Sequence, residues 1–445
     1  MNAQVAPPPD AARVPARVWR GAGWRLAGRI WSSACTLVVL YLAAQALDLA
    51  SFGRLAFYLA VFAVLDAVVD SGTGQALVQR TADRPEALLG ALARARRIRL
   101  VAGLAGVALV GGGAWLLDEP EAGWITLAAL YPTTHALELS TIALRNELRW
   151  GPQVAIRAFA AGTGLVLTLV VLGMGTPTAG KLLVALAAGS TTGNLLAHAV
   201  GRRSLPRGPA RDADPWRPFL RLALPLGAAA ICQQAYFWSD NAVLRAVHGE
   251  ASVGPYTIAV RIMGWSLSVA VYASAVALPW LTRAEARDQL LAATLRLAVP
   301  LTAAAAFAVG LVAPWSAQLV GLFGEEFASG GPALEVLLLA VVAVHAGAPL
   351  LTAVTASGRS RTVLALSALA LLLNLGLNAM WVPSAGALGA ARATLATETW
   401  VALASAACLV RAARPRPSAG LLLPWLAVPA CWIAGRALAL LLQAS

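Results

Sequence analysis

Charge is what this sequence has least of. Only 12% of its 445 residues are Asp, Glu, Lys or Arg, against roughly 25% in a typical soluble domain. No long stretch is polar enough to form a separate soluble domain. Lysine is represented by Lys181 alone, and the four cysteines, Cys35, Cys232, Cys408 and Cys431, all fall in apolar runs. That placement reads as small core residues and argues against a disulfide framework or a cysteine metal site. The four histidines, His135, His198, His248 and His345, are scattered one to a region without metal-ligand spacing. No phosphate-cradling glycine loop and no nucleophile motif occurs, so no cofactor, metal or catalytic residue is expected. No base-stacking aromatics accompany the arginine clusters, which argues against nucleic acid as a partner.

What is present is apolar surface. The chain is 59% hydrophobic, with a mean hydropathy of +0.71. Apolar runs of about 20 residues recur along it, the pattern of an all-α polytopic membrane protein. They lie near 27–47, 54–78, 98–117, 122–143, 154–174, 180–200, 219–244, 255–279, 292–314, 333–356, 362–382, 387–410 and 420–442, which makes about thirteen transmembrane helices. The last holds Pro424, Pro429 and Arg436, so whether it crosses is open.

Charge then orients the chain. With the N-terminus in the cytoplasm, 28 of the 34 basic residues fall at cytoplasmic ends, whereas outward connections such as "LLDEPEAG" and "LFGEEFASGG" are neutral or acidic. The net charge of +13 is therefore mostly topology, with some contact to the headgroups of membrane lipids.

The two halves echo each other. "FGRLAFYLAV" at 52–61 aligns with "VGPYTIAVRI" at 253–262, and 151–180 parallels 358–386. The division that follows is a cytoplasmic N-terminal segment 1–25, an N-lobe of six helices 26–200, a cytoplasmic linker 201–218, a C-lobe of six helices 219–412 and an extra C-terminal helix 413–445. Two pseudo-symmetric six-helix bundles of this parallel kind are expected around a central cavity.

Against this apolar ground the ionisable residues stand out. "YLAVFAVLDAVVDSGTGQAL" carries Asp66 and Asp70 four residues apart, on one helix face, about 18 and 24 Å from its outer end. Each carboxylate in lipid costs about 2.5–3.5 kcal/mol, tolerable where the face meets water, a cation or a proton. One reading makes them an ion-coupling pair lining the cavity. The other lets Asp70, with Ser71, Gly72, Thr73 and Gly74, shape a helix break. Asp240 shares a face with Gln233 and Tyr236, Glu138 shares one with Thr134, and Glu398 sits in the twelfth span. These three join the ion-coupling candidates. Asn374 and Asn378 are cavity candidates, with an interhelical hydrogen bond of about 0.6 kcal/mol as the plainer account.

Several segments resemble a known family. "SFGRLAFYLAVFAVLDAVVDSGTGQALVQR" is similar to the second helix of Wzx-type polysaccharide flippases, with its mid-helix Asp, Asp-x-Gly and Ala-Leu-Val-x-Arg ending. "SDNAVLRAVHGEASVGPYTIAVRI" resembles their seventh-to-eighth helix junction, "LFGEEFASGGPALEVLLLA" their tenth-helix entry, and "LNLGLNAMWVPSAGALGAARATLATE" their eleventh-to-twelfth junction. The resemblance covers roughly 30–410. It implies the fold of the superfamily that includes multidrug exporters of the MATE type and lipid II flippases. It also implies inner-membrane translocation of undecaprenyl-diphosphate-linked oligosaccharide, without enzymatic chemistry, alongside polysaccharide polymerase and export proteins, with a proton or sodium ion as the coupling partner. A thirteenth span departs from the usual twelve or fourteen.

The anion that the resemblance implies gives the remaining arginines a role. Arg54, Arg245, Arg261 and Arg392 lie in or at the outer ends of spans, and a planar guanidinium suits phosphate oxygens. Snorkelling to headgroups is the alternative for Arg54 and Arg245. Other functions stay open on the sequence alone: a MATE-type multidrug or cation antiporter, a membrane-embedded glycan polymerase or acyltransferase, or a non-transporting scaffold.

Overall fold

The computed structural model describes residues 16–81, 88–147, 149–206, 216–285, 289–412, 425 and 427–444. Most of the expected 1–25 segment, half of the 201–218 linker and the start of 413–445 lie outside the described residues. In chain order the helices are α1 (Ala16–Ala46), α2 (Leu49–Asp70), α3 (Thr73–Thr81), α4 (Leu88–Leu116), α5 (Ala122–Ala128), α6 (His135–Glu138), α7 (Ile142–Asn146), α8 (Trp150–Gly173), α9 (Ala179–Gly201), α10 (Trp216–His248), α11 (Glu250–Glu285), α12 (Leu290–Val312), α13 (Ser316–Gly321), α14 (Gly331–Ala356), α15 (Ser360–Ala412) and α16 (Ala427–Ala444). Among the described residues there is no strand, and nine helical runs are long and apolar enough to cross a membrane. The run Arg361–Ala412 holds two expected spans in one, interrupted at Gly386 with φ 54°. The expected all-α polytopic architecture is what forms. Its outer surface is apolar, with Leu109 75%, Leu116 85% and Leu403 66% exposed, a surface for acyl chains rather than water.

The helices group into two compact units, one of Met1–Leu40, Thr73–Thr176 and Gly180–Leu220, the other of Tyr41–Gly72, Pro177–Ala179 and Arg221–Ser445. By this grouping α2 belongs to the second unit.

In the first unit α8 and α9 approach through small residues. A Cβ on Gly189 would overlap the Gly164 backbone, and one on Gly193 would overlap the Ala160 side chain. Such close backbone approach is what drives helix association in lipid, where apolar side chains gain little by leaving the bilayer. The expected fourth span, 122–143, is broken into α5, the 3₁₀ turns Tyr131–Thr134 and Leu139–Thr141, and α6 and α7. Pro132 removes an N–H from the ladder. The hydroxyls of Thr133, Thr134, Ser140 and Thr141 bond to the carbonyls of Leu130, Tyr131, Leu137 and Glu138, which competes with regular helix. α4 starts ten residues before the expected span. The run Leu88–Arg99 consists mostly of good helix formers, so arginines expected in a connection stand on a helix.

In the second unit the Asp48 side chain caps α2 by accepting from the Ser51 amide at 2.9 Å and its hydroxyl at 2.8 Å. These bonds hold the Asp48 carboxyl below the usual carboxylate range. The two aligned repeat segments meet here. A Cβ on Gly53 would overlap the Glu250 carbonyl, and Gly254 lies against Phe52, whose ring meets Phe327 edge-on at 4.9 Å. α2 ends at Asp70. Ser71 and Gly72 then take left-handed backbone, φ 43° and 69°, where Gly227 of α10 packs so closely that a Cβ would overlap the Ser71 carbonyl carbon. The last expected span contains α16, whose 18 residues extend about 27 Å. It packs along α12, Gly435 on the Phe307 carbonyl and Gly310 on that of Trp432.

Candidate functional site

The most enclosed polar group of the second unit is centred on Asp240. On α10, Gln233, Tyr236 and Asp240 share a face, and Gly386 lets two parts of α15 converge on it. Asn378 and Thr394 are 16 residues apart, about 24 Å along a straight helix, yet both bond to one carboxylate. Asn378 Nδ2 donates to Asp240 Oδ1 at 2.6 Å, Thr394 Oγ1 to Oδ2 at 2.8 Å, and the Tyr256 hydroxyl from α11 also donates to Oδ2. Asn374 extends the group: its Oδ1 accepts from Asn378 Nδ2 at 3.0 Å and from the Ser239 hydroxyl at 2.7 Å. Asp240, Asn374, Asn378 and Tyr256 are each at most 2% exposed. Among the described residues no cation pairs with Asp240. Asn374 Nδ2, Asn378 Oδ1 and Thr397 Oγ1 are buried without hydrogen-bond partners. The arrangement is thus a buried carboxylate held by neutral donors, with further side-chain oxygens beside it.

The other acidic candidates are distributed. Glu398 accepts from the Tyr236 hydroxyl at 3.1 Å, and Gln233 donates to Ser367 at 3.3 Å, one turn or more along the same face of α10. Asp66 and Asp70 are half-buried on α2. Glu138 belongs to the first unit, where Arg99 NH1 lies 3.5 Å and Arg157 NH2 3.6 Å from its carboxylate.

The basic candidates take three different situations. Arg54 and Arg245 converge on Glu250. Arg54 donates to it from Nε at 3.1 Å and NH2 at 2.7 Å, and Arg245 from NH2 at 2.7 Å, with the Arg245 guanidinium 4.3 Å from the Phe57 ring centroid. Arg261 stacks 4.8 Å from the Trp238 ring. Arg392 is exposed, on the same face of α15 as Thr399, Leu403 and Val410.

Four participants escape sequence reading. Glu250 looks like an ordinary outer-loop acid, although the match of 52–61 to 253–262 is a signal that its neighbourhood meets Arg54. Tyr256 and Thr394 look like span residues. Arg99 reads as a cytoplasmic cation, whereas it is 3% exposed and donates to Thr73 Oγ1 at 2.9 Å and the His135 carbonyl at 3.1 Å.

Comparison with known proteins gives consistent results. A family model described as polysaccharide biosynthesis protein matches residues 18–285. Among solved structures, an inward-facing multidrug resistance MATE family transporter of the MOP superfamily aligns over 90% of this chain and 95% of its own, with a TM-score of 0.69 and 15% identity. The lipid II flippase MurJ, in an inward closed conformation, aligns over 92% and 97% with a TM-score of 0.68 and 12% identity. A MOP superfamily transporter from Pyrococcus furiosus, described as having a binding pocket of reverse polarity, aligns over 93% and 96% with a TM-score of 0.67 and 15% identity. At these identities the likeness establishes the fold. No curated protein matches by sequence.

Proposed function

We propose that this chain, a member of the polysaccharide biosynthesis protein family with the fold of MOP superfamily transporters, is a multi-pass membrane transporter rather than an enzyme and carries undecaprenyl-diphosphate-linked oligosaccharide across the bacterial inner membrane. The product would feed O-antigen, capsule or exopolysaccharide export, with polymerase and export proteins acting downstream. The observation that carries this reading is the family match over residues 18–285.

The chemistry of the second unit supports it. Arg261 presents a planar fork suited to diphosphate oxygens, and Arg54 and Arg245 would reach them by exchanging Glu250 for the diphosphate, with Arg392 an outer cation on the face of Leu403. Asn374 and Asn378 supply amides to the coupling group. The transporter offers the headgroup to one membrane face at a time, and a ligand biases such an equilibrium only by binding the two states unequally. A proton or sodium ion at Asp240 provides that bias, because the carboxylate has hydrogen-bond donors but, among the described residues, no fixed cation, and its neighbouring oxygens suit a hard ion. Asp66, Asp70 and Glu398 are secondary candidates for this role, whereas Glu138 already lies between Arg99 and Arg157. Export of cationic drugs, the rival reading, calls for open aromatic and acidic faces. Here the Arg261 guanidinium covers Trp238 and two arginines cover Glu250.

A deletion strain tests the proposal. It should accumulate lipid-linked oligosaccharide on the inner leaflet, and the wild-type chain should restore surface glycan. Arg261→Ala should fail to restore it at normal membrane abundance. Undiminished glycan export in the deletion strain would refute the function.

A further inference from the structure

α4 and α9 bring basic residues to one buried turn of the first unit, around Ser140. Arg96 NH2 donates to Ser140 Oγ at 2.6 Å and lies 3.5 Å from His198 Nδ1. Ser140 Oγ is itself 2.8 Å from His198 Nδ1. Arg202 follows His198 by four residues, one helical turn, and is exposed. The backbone fixes this geometry. Gly201, at the end of α9, sits so tightly on the Ser140–Thr141 peptide that a Cβ would overlap the Ser140 carbonyl, and Ser140 is fully buried.

What the group lacks is negative charge. Among the described residues, none of Arg96, His198 and Arg202 pairs with a carboxylate, and Arg96 Nε is buried with no hydrogen-bond partner. A half-buried guanidinium without a counter-ion bears its desolvation cost with no Coulombic return. An oxyanion would supply both the charge and the acceptor. It would take Arg96 Nε–H and the Arg202 fork in charge-assisted bonds, the geometry in which arginine binds phosphate.

We propose that Arg96, His198 and Arg202, arranged around Ser140, bind the phosphate headgroup of a membrane lipid. The positive-inside pattern puts this end of α9 at the cytoplasmic headgroup level, where such phosphates are within reach. The same chemistry has two sources, an anionic phospholipid of the bilayer or a polyprenyl diphosphate. The site does not depend on the transport reading, because bulk phospholipid alone would fill it.

Native mass spectrometry of the full chain in phosphatidylcholine nanodiscs, doped with phosphatidylglycerol or with undecaprenyl diphosphate, tests the site. The wild type should retain the phosphate lipid, and Arg96→Gln and Arg202→Gln should each weaken retention about tenfold, the effect of losing one hydrogen bond to a charged group. Arg97→Gln, an exposed neighbour, should retain it as the wild type does. Selective loss of phosphatidylglycerol assigns the bilayer as the source; selective loss of undecaprenyl diphosphate assigns the polyprenyl lipid. Arg202 is exposed, so its variant keeps the test decisive if Arg96→Gln misfolds. Failure of the wild type to retain either lipid would overturn the site. Wild-type retention by Arg202→Gln, or equal loss in Arg97→Gln, would do the same.

Discussion

Glu138 in the first unit and Asp240 in the second are both carboxylates on helices of a membrane protein, and their neighbours differ in kind. Glu138 lies between two guanidinium groups, Arg99 at 3.5 Å and Arg157 at 3.6 Å. Asp240 is held by a phenol, a hydroxyl and an amide. Fixed cations neutralise the first permanently. Neutral donors orient the second and leave a unit of charge that a mobile proton or cation can remove. One cost of burial thus has two solutions, and only the second suits a coupling site.

Substitutions break or sharpen this contrast. Asp240→Asn keeps the shape, removes the charge and replaces one of the two acceptor oxygens with a donor. It should lower glycan flipping by roughly 5–150-fold, the range of a typical coupling free energy, at unchanged membrane abundance; flipping assays read against immunoblots check this, and a wild-type rate would end the comparison. Glu138→Ala should act on stability instead. It strips the buried Arg99 of a carboxylate partner, at a cost of about 1–3 kcal/mol, visible as a lower unfolding temperature in detergent, with Glu138→Gln milder.

Thr394→Val removes one donor to Asp240. The expected loss is about 0.6 kcal/mol, read as a shift in the ion concentration that half-saturates transport. An effect of similar size belongs to Asp48, at the exposed start of α2. Its folded carboxyl titrates below the usual range, so its contribution is present above the unfolded value and disappears as pH falls through the folded one. Asp48→Ala should cost about 0.5–1 kcal/mol at neutral pH. The difference between wild type and variant should shrink in acid, as thermal unfolding across pH would show.

The degree to which each part was legible follows from the range of its cause. The spacing of Gln233, Tyr236 and Asp240, and of Asn374 and Asn378, is local and marks helix faces directly from the chain. The gap between the eleventh and twelfth expected spans anticipates the interruption at Gly386. The length of α4 was underestimated, because a hydropathy window ends a span at its first arginines while helix propensity continues through them. Arg99 was assigned to the cytoplasm for the same reason. The break of the fourth span at Pro132, and the hydroxyl-to-carbonyl bonds around it, were not foreseen, since the apolar pattern runs across them.

By itself the sequence determined that the chain lies in a bilayer, which end of each span is basic, and which residues are too polar for lipid. Those properties follow from local composition and from the cost of charge in hydrocarbon. Only the tertiary structure decided which polar groups answer one another: Glu250 for Arg54, 196 residues apart, and Thr394 for Asp240, 154 apart. Pairing across such separations depends on where glycines let backbones touch and where the chain reverses, and no local rule encodes the partner.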